Sequence, residues 1–245
     1  MNKTIHYCWF GRNKKSELIL RCMDTWRKYC PEWRIVEWNE DNFDVSMNNY
    51  VSNAYERKMW AFVSDYCRFY ALYHHGGIYL DTDVELIASL DNLPVSFVGF
   101  ENADYVNSGL IRGAEKGDNI CKSMLESYDA DDFVLDNGDM NLRSVCERET
   151  SLLKQIGLVC DDQYQELPGI TVFPHQKFCP LNYATGELEI SPEAVSIHHF
   201  AASWTPVSQK IKAQVFRRLS RIIGESRAAR LRKGLRDAAK TYFKT

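Results

Sequence analysis

No apolar run in this 245-residue chain approaches the ~18 residues that a membrane-spanning helix needs, which excludes an integral helical membrane protein. The eight cysteines are scattered, with no C-x-x-C pair and no Cys/His zinc spacing, which argues against a zinc module or a thioredoxin-type redox site. Residues 1–15 carry only a short apolar patch broken by His6 and do not read as a signal peptide. The cysteines are then expected to be reduced and buried, and the protein to sit in the cytoplasm or on the cytoplasmic face of the inner membrane. Internal repeats and low-complexity blocks are missing as well. Charge is unevenly divided along the chain. Residues 207–245 hold twelve Lys/Arg against Glu225 and Asp237, a net +10, so the total of −3 leaves −13 on residues 1–206. An acidic body repels a phosphate backbone, and no nucleic-acid partner is expected.

What is present suffices for a folded domain. Hydrophobic residues make up 45% and aromatics 13%, well outside the composition of disordered chains. Residues 4–10 read as a first strand. Residues 17–29 have helical spacing through Leu18, Cys22, Trp26 and Tyr29, with Pro31 just beyond. Residues 33–38 alternate as a second strand, 48–75 read as mostly helical, and Gly76-Gly77 stop that helix before a strand at 78–80. Further strands are expected at 95–100, 108–111, 169–173 and 194–198. A helix is expected at 142–156 and an exposed acidic excursion at 128–138. Strands alternating with helices predict an α/β layered sheet.

In the last segment, Val207, Ile211, Val215, Leu219 and Ile222 recur at helical spacing, Gly224 interrupts, and Ala228, Leu231, Leu235, Ala238 and Tyr242 resume the pattern. The spacing predicts a basic amphipathic helical tail over 207–245, set apart from a domain over 1–206. Its partner is expected to be an anionic membrane surface. The plainer alternative is that the apolar stripe packs on the domain and the charges form a solvated face.

The chemistry concentrates in Gly76-Gly77-Ile78-Tyr79-Leu80-Asp81-Thr82-Asp83-Val84. Side chains alternate along a strand, so Asp81 and Asp83 are expected on one side of it. Two oxygen ligands at a strand end suit a hard divalent cation that keeps positions open for phosphate oxygens. Upstream, Asp65 and Arg68 share a helix face and could orient a sugar hydroxyl and a phosphate. A bare pair of aspartates is more often a loop cap, and an i,i+3 Asp–Arg pair is often an ordinary surface ion pair. Trp9, on an interior strand, could be simple core.

The order of Ser64-Asp65-Tyr66-Cys67-Arg68 followed by Gly76-Gly77-Ile78-Tyr79-Leu80-Asp81-Thr82-Asp83 resembles the DXD sugar-binding region of glycosyltransferase family 32. The same order resembles the catalytic domains of the large clostridial glucosylating toxins. Ile5-His6-Tyr7-Cys8-Trp9-Phe10-Gly11 resembles the first strand of that family, and His199-Phe200-Ala201-Ala202-Ser203-Trp204 its closing element, so the likeness runs from about residue 5 to 204. The resemblance implies a GT-A type, Rossmann-like nucleotide-binding α/β sandwich, a nucleotide-sugar donor and a saccharide acceptor. By the same resemblance Trp9 stacks on the base, Asp65 and Arg68 hold the donor sugar, and Tyr79 and Asp81 lie near ribose and sugar. Asp83 is the direct metal ligand with Asp81 close by, His199 is a late metal ligand, and Ser203 and Trp204 close over the diphosphate. Asn107, in Asn107-Ser108-Gly109, resembles an Asn-bearing strand beside the donor. The family's frequent T-G-P element after it is missing; Asn137-Gly138-Asp139 is a poor substitute. An imidazole ligand favours Mn²⁺ over Mg²⁺, the other ion such sites take.

Two other functions compete. Asp81-Thr82-Asp83-Val84 also satisfies the D-x-D-x-[TV] strand end of haloacid-dehalogenase-type phosphatases, with Asp81 as the nucleophile. A non-catalytic module binding a nucleotide sugar or polysaccharide is the third reading.

Overall fold

A computed structural model describes residues 2–201 and Gly224. In chain order the elements are β1 (Thr4–Cys8), α1 (Glu17–Tyr29), β2 (Arg34–Trp38), α2 (Asn49–Glu56), α3 (Trp60–His75), β3 (Gly77–Tyr79), β4 (Val84–Leu86) and β5 (Phe97–Asn102). They continue with β6 (Tyr105–Val106), β7 (Arg112–Ala114), α4 (Asn119–Asp129), α5 (Val145–Lys154), β8 (Gln165–Leu167), β9 (Ile170–Phe173), α6 (His175–Phe178) and β10 (Ser196–His198).

The main sheet runs β2-β1-β3-β7-β5-β9-β8, with β6 paired to β5 off this path. β1 is parallel to β2 and β3, β5 is parallel to β9, and β7 is antiparallel to both β3 and β5. Thus β1, β2, β3, β5 and β9 point the same way, and their carboxyl ends line one edge. This is the α/β sandwich implied by the GT-A resemblance, and such an edge is where open α/β sheets take their ligands. A second, two-stranded sheet pairs β10 with β4.

Local sequence explains the elements that matter for this edge. Ser16 caps α1 through Ile19 N–H, and the buried stripe Ile19, Cys22, Met23 and Trp26 holds the helix down. Trp26 donates its indole N–H to the Val84 carbonyl at 2.7 Å, which ties α1 to β4. The helix expected over 48–75 is two helices. Asn48 caps α2, and the chain turns at Lys58, whose φ of 58° ends the first helix. α3 ends at Gly76, φ 65°, whose N–H bonds Leu72 O at 2.7 Å. α3 packs against β1 and against α2 and α4, and its face carrying Phe69 and Leu72 joins a core with Tyr79, Cys121 and Met124. A second core gathers Val98, Phe100, Ile120, Leu153, Ile170 and Val172 around β5, β9 and α5.

Other parts of the chain differ from expectation as well. Residues 108–111 form a turn, and the strand begins four residues later, at Arg112. Helix α4, capped by Asp118 through Cys121 N–H at 2.8 Å, carries no expectation from the sequence. The helix expected over 142–156 is shorter, starting at a Ser144–Glu147 capping box.

The chain divides into two compact units, Met1–Pro180 with Ile190–His199, and Leu181–Glu189 with Phe200–Thr245. Ser203, Trp204 and the basic tail lie outside the described residues.

Candidate active site

α3 delivers Asp65 and Arg68 beneath the carboxyl edge of the sheet, where they are 7% and 3% exposed. The surface ion pair that the sequence allowed is therefore a buried one, with Arg68 Nη2 2.8 Å from Asp65 Oδ1. The same Nη2 lies 3.3 Å from Asp81 Oδ1, which also accepts the Tyr79 hydroxyl at 2.9 Å. The guanidinium stacks 4.8 Å from the Tyr79 ring centroid, and Nη1 reaches Ser108 Oγ at 3.4 Å. Burial pushes the Asp65 carboxyl up to about 6, with Arg68 pulling against it. Burial also works against the Arg68 charge, but Asp81, Tyr79 and Asp65 more than offset it and keep the group protonated.

Asp81 and Asp83 do not meet by strand alternation. β3 ends at Tyr79, and residues 81–84 form a turn closed by Val84 N–H on the Asp81 carbonyl at 3.1 Å. The turn, anchored by Asp81 N–H on Gly109 O at 3.0 Å, gathers the two carboxylates. Asp81, Asp83 and His198 then bring one ligand atom each within 4.8 Å of one another. Carboxylate, carboxylate and imidazole make a donor set that fits a divalent cation such as Mn²⁺.

The histidine in this cluster is His198, whereas the sequence resemblance pointed to His199. The antiparallel pairing of β10 on β4 sets His198 opposite Val84, next in sequence to Asp83, and puts His198 Nε2 3.2 Å from Asp83 Oδ1. Neighbouring side chains on a strand face opposite ways, and His199 Nε2 goes to Glu85 Oε2 at 2.7 Å. Burial opposes the His198 charge, but Asp83 outweighs it and lifts the imidazole to about 9.

Asn107 stands beside the cluster. Its Oδ1 accepts Gly109 N–H at 2.7 Å, and its Nδ2 donates to Glu101 Oε2 at 2.5 Å. A side chain on Gly109 would run into Asp81 Oδ2 and Asn107 Oδ1, so the close approach of that carboxylate requires glycine. Sequence reasoning named Asn107 but gave no role to Gly109, Ser108 or Glu101, whose places depend on the turn at 107–110.

Trp9 follows β1 and lines a cavity of about 310 Å³ at the ends of β1 and β2, with Arg12, Lys15, Glu37, Asn39 and Glu40. Its indole N–H bonds Asn13 O at 2.7 Å, and Lys15 Nζ sits 5.1 Å from the ring centroid. Half-buried at a cavity wall, it is not a core residue. Neither Asp81 nor Asp83 lines this cavity.

No curated protein matches the chain in sequence. Among solved structures it is similar to the PaToxG glycosyltransferase, with 20% identity over 63% of this chain and 69% of that one and a TM-score of 0.44. It is also similar to a glycosyltransferase involved in the glycosylation of the major capsid of PBCV-1, with 11% identity over 86% and 98% and a TM-score of 0.43. Residues 16–97 match the family described as the glycosyltransferase sugar-binding region containing DXD motif. The matched segment holds Asp65, Arg68, Asp81 and Asp83. Of the three functions open to the sequence, the match over residues 16–97 supports the glycosyltransferase.

Proposed function

We propose that the protein is a metal-dependent, retaining glycosyltransferase that moves a hexose from a nucleotide-diphosphate sugar, a UDP-sugar by preference, to a saccharide acceptor. The observation that carries this reading is the convergence of Asp81, Asp83 and His198 at the carboxyl edge of the sheet, beside the buried Asp65–Arg68 pair. A divalent cation, Mn²⁺ by the chemistry of the imidazole, would be held by those three side chains and would neutralise charge on the departing diphosphate.

The chain's own groups do the rest. Arg68, locked between Asp65 and Asp81, presents a fixed positive charge and donors to the donor's sugar and phosphate. Because its orientation is set before substrate arrives, little reorganisation is needed as charge develops. Tyr79 and Arg68 both hold Asp81 Oδ1, which fixes that carboxylate for the sugar and the metal. Asn107 lies alongside, Trp9 stacks on the base, and Ser203 and Trp204 close over the diphosphate and exclude water. The acceptor is a saccharide, lipid-linked, and the process is capsule, O-antigen or exopolysaccharide assembly at the cytoplasmic face of the inner membrane. The basic segment 207–245 supports the surface location through its charge.

The test is donor hydrolysis. Protein stripped with EDTA is offered UDP-glucose, UDP-galactose and UDP-N-acetylglucosamine with and without Mn²⁺, and UDP release is followed. We expect one donor to turn over only with metal, and Asp83→Asn to lower that rate by roughly 10²-fold or more with the fold intact. No metal-dependent turnover or binding for any nucleotide sugar removes the reading.

A further inference from the structure

Glu101 sits near the end of β5, on the same sheet edge as Asp81, and the donor and metal roles above leave it without work. Its Oε2 accepts Asn107 Nδ2–H at 2.5 Å and lies 4.0 Å from the Cys146 thiol. Asn107 is fixed at its other end by Gly109 N–H, and the position beside Gly109 is flanked by Asn107 Oδ1 and Asp81 Oδ2. One primary amide thus separates the Glu101 carboxylate from the surroundings of Asp81. Glu101 Oε1 has no protein partner among the described residues, and the side chain is half-buried.

Its partners set Glu101 apart from the other acids nearby. Asp65 and Asp81 share Arg68, Asp83 faces His198, Glu85 faces His199, and Glu149 faces Arg112. Glu101 has an amide and a thiol as partners and no cation among the described residues. Its field reaches the cluster all the same. The buried Cys179 thiol is pushed up by burial and then by Glu101, Asp162 and Asp83, and His198 feels Glu101 after Asp83 and Asp81.

We propose that Glu101 is a further catalytic carboxylate of the transfer reaction, its open Oε1 facing the donor sugar from the β5 side. The proposal rests on the donor-site reading above. As the bond from the anomeric carbon to the diphosphate oxygen breaks, both electrons leave with the nucleoside diphosphate. Positive charge builds on the anomeric carbon and the ring oxygen. The acceptor oxygen forms the new bond on the same face, and its proton passes to the departing phosphate oxygen. Glu101 makes no bond to carbon. A carboxylate already desolvated on one side and held by Asn107 stabilises that transient cation more strongly than one free in water.

The test uses the full chain, Mn²⁺ and the UDP-sugar panel, with water as acceptor. Glu101→Gln keeps a carbonyl oxygen for Asn107 and removes only the charge. It is expected to lower kcat of donor hydrolysis at least a hundredfold, while the Kd for Mn²⁺–UDP and the thermal midpoint stay within about twofold and a few degrees of the parent. Hydrolysis by Glu101→Gln within threefold of the parent overturns the proposal. So does a loss of rate matched by an equal loss of Mn²⁺–UDP affinity, which would make Glu101 only the support of Asn107. Glu101→Ala rescued by azide with release of a glycosyl azide would instead make it a covalent nucleophile, which contradicts a purely electrostatic role. If the parent turns over no donor, the donor-site reading itself has failed, a result separate from any effect of Glu101.

Discussion

His6 shows how much one residue can fix. It is 2% exposed, its Nε2 lies 2.9 Å from Gly76 O, and its Nδ1 lies 3.1 Å from the Trp38 indole nitrogen. An indole nitrogen can only donate, so Nδ1 must accept and Nε2 must carry the proton: the ring is neutral. Burial accordingly pushes its pKa down to about 4. The unfolded chain, with an ordinary value near 6.5, then holds the extra proton between pH 6.5 and 4, so stability falls as pH falls through that window. At pH 5 the expected loss is about 2 kcal/mol relative to pH 7. Urea unfolding at the two pH values measures it. His6→Gln, which keeps an amide donor for Gly76 O and does not titrate, should remove about that much of the acid sensitivity. Equal sensitivity in both proteins would show that His6 is not its source. In the sequence His6 stands as a break in an apolar patch and as one member of the first-strand block, with no role of its own. Its role depends on Gly76, seventy residues away, which no local pattern announces.

At the scale of elements, legibility follows the range of the determining contacts. α1 is readable over its full length because its helical apolar spacing and Pro31 lie within one short stretch. The break between α2 and α3 is not, because the residue that turns the chain is Lys58, which adopts a conformation usually left to glycine. Asp81 and Asp83 stand out in the sequence as a pair, but it is a turn that brings them together. The choice between His198 and His199 is likewise beyond local pattern. Alternation says only that the two face apart, and the register of β10 on β4 decides which one meets Asp83. That register makes a prediction. His198→Ala should weaken Mn²⁺-dependent nucleotide binding by roughly 10-fold or more, measured by titration calorimetry, on the scale that loss of a ligand or its support costs a metal site. His199→Ala, which removes a partner of Glu85, should bind Mn²⁺–UDP within about threefold of the parent. The reverse order of effects would move the cluster to His199 and contradict the pairing.

For the whole molecule the governing contrast is electrostatic. An acidic body at −13 carries a terminal segment at +10, and no helix among the described residues is long and apolar enough to cross a bilayer. An acidic surface alone is repelled by anionic lipid, so any attraction must come from the terminal segment. Each Lys or Arg near such a surface would contribute on the order of 1 kcal/mol, and the apolar residues spaced through 207–245 would add burial in the interface. Coulombic attraction of this kind is screened within about 8 Å at physiological salt, whereas apolar insertion is not. The chain should therefore sediment with vesicles rich in phosphatidylglycerol and not with pure phosphatidylcholine. Raising NaCl to about 0.5 M should release most of it, and deletion of residues 207–245 should abolish binding at any salt. Metal-dependent donor hydrolysis by the truncated protein should persist, because the groups assigned to metal and donor sugar all precede residue 207. If the truncated protein still sediments with anionic vesicles, the attraction lies in the body in spite of its charge, and the terminal segment is no anchor. If the parent ignores anionic vesicles altogether, the apolar stripe is better explained as packing against the protein itself.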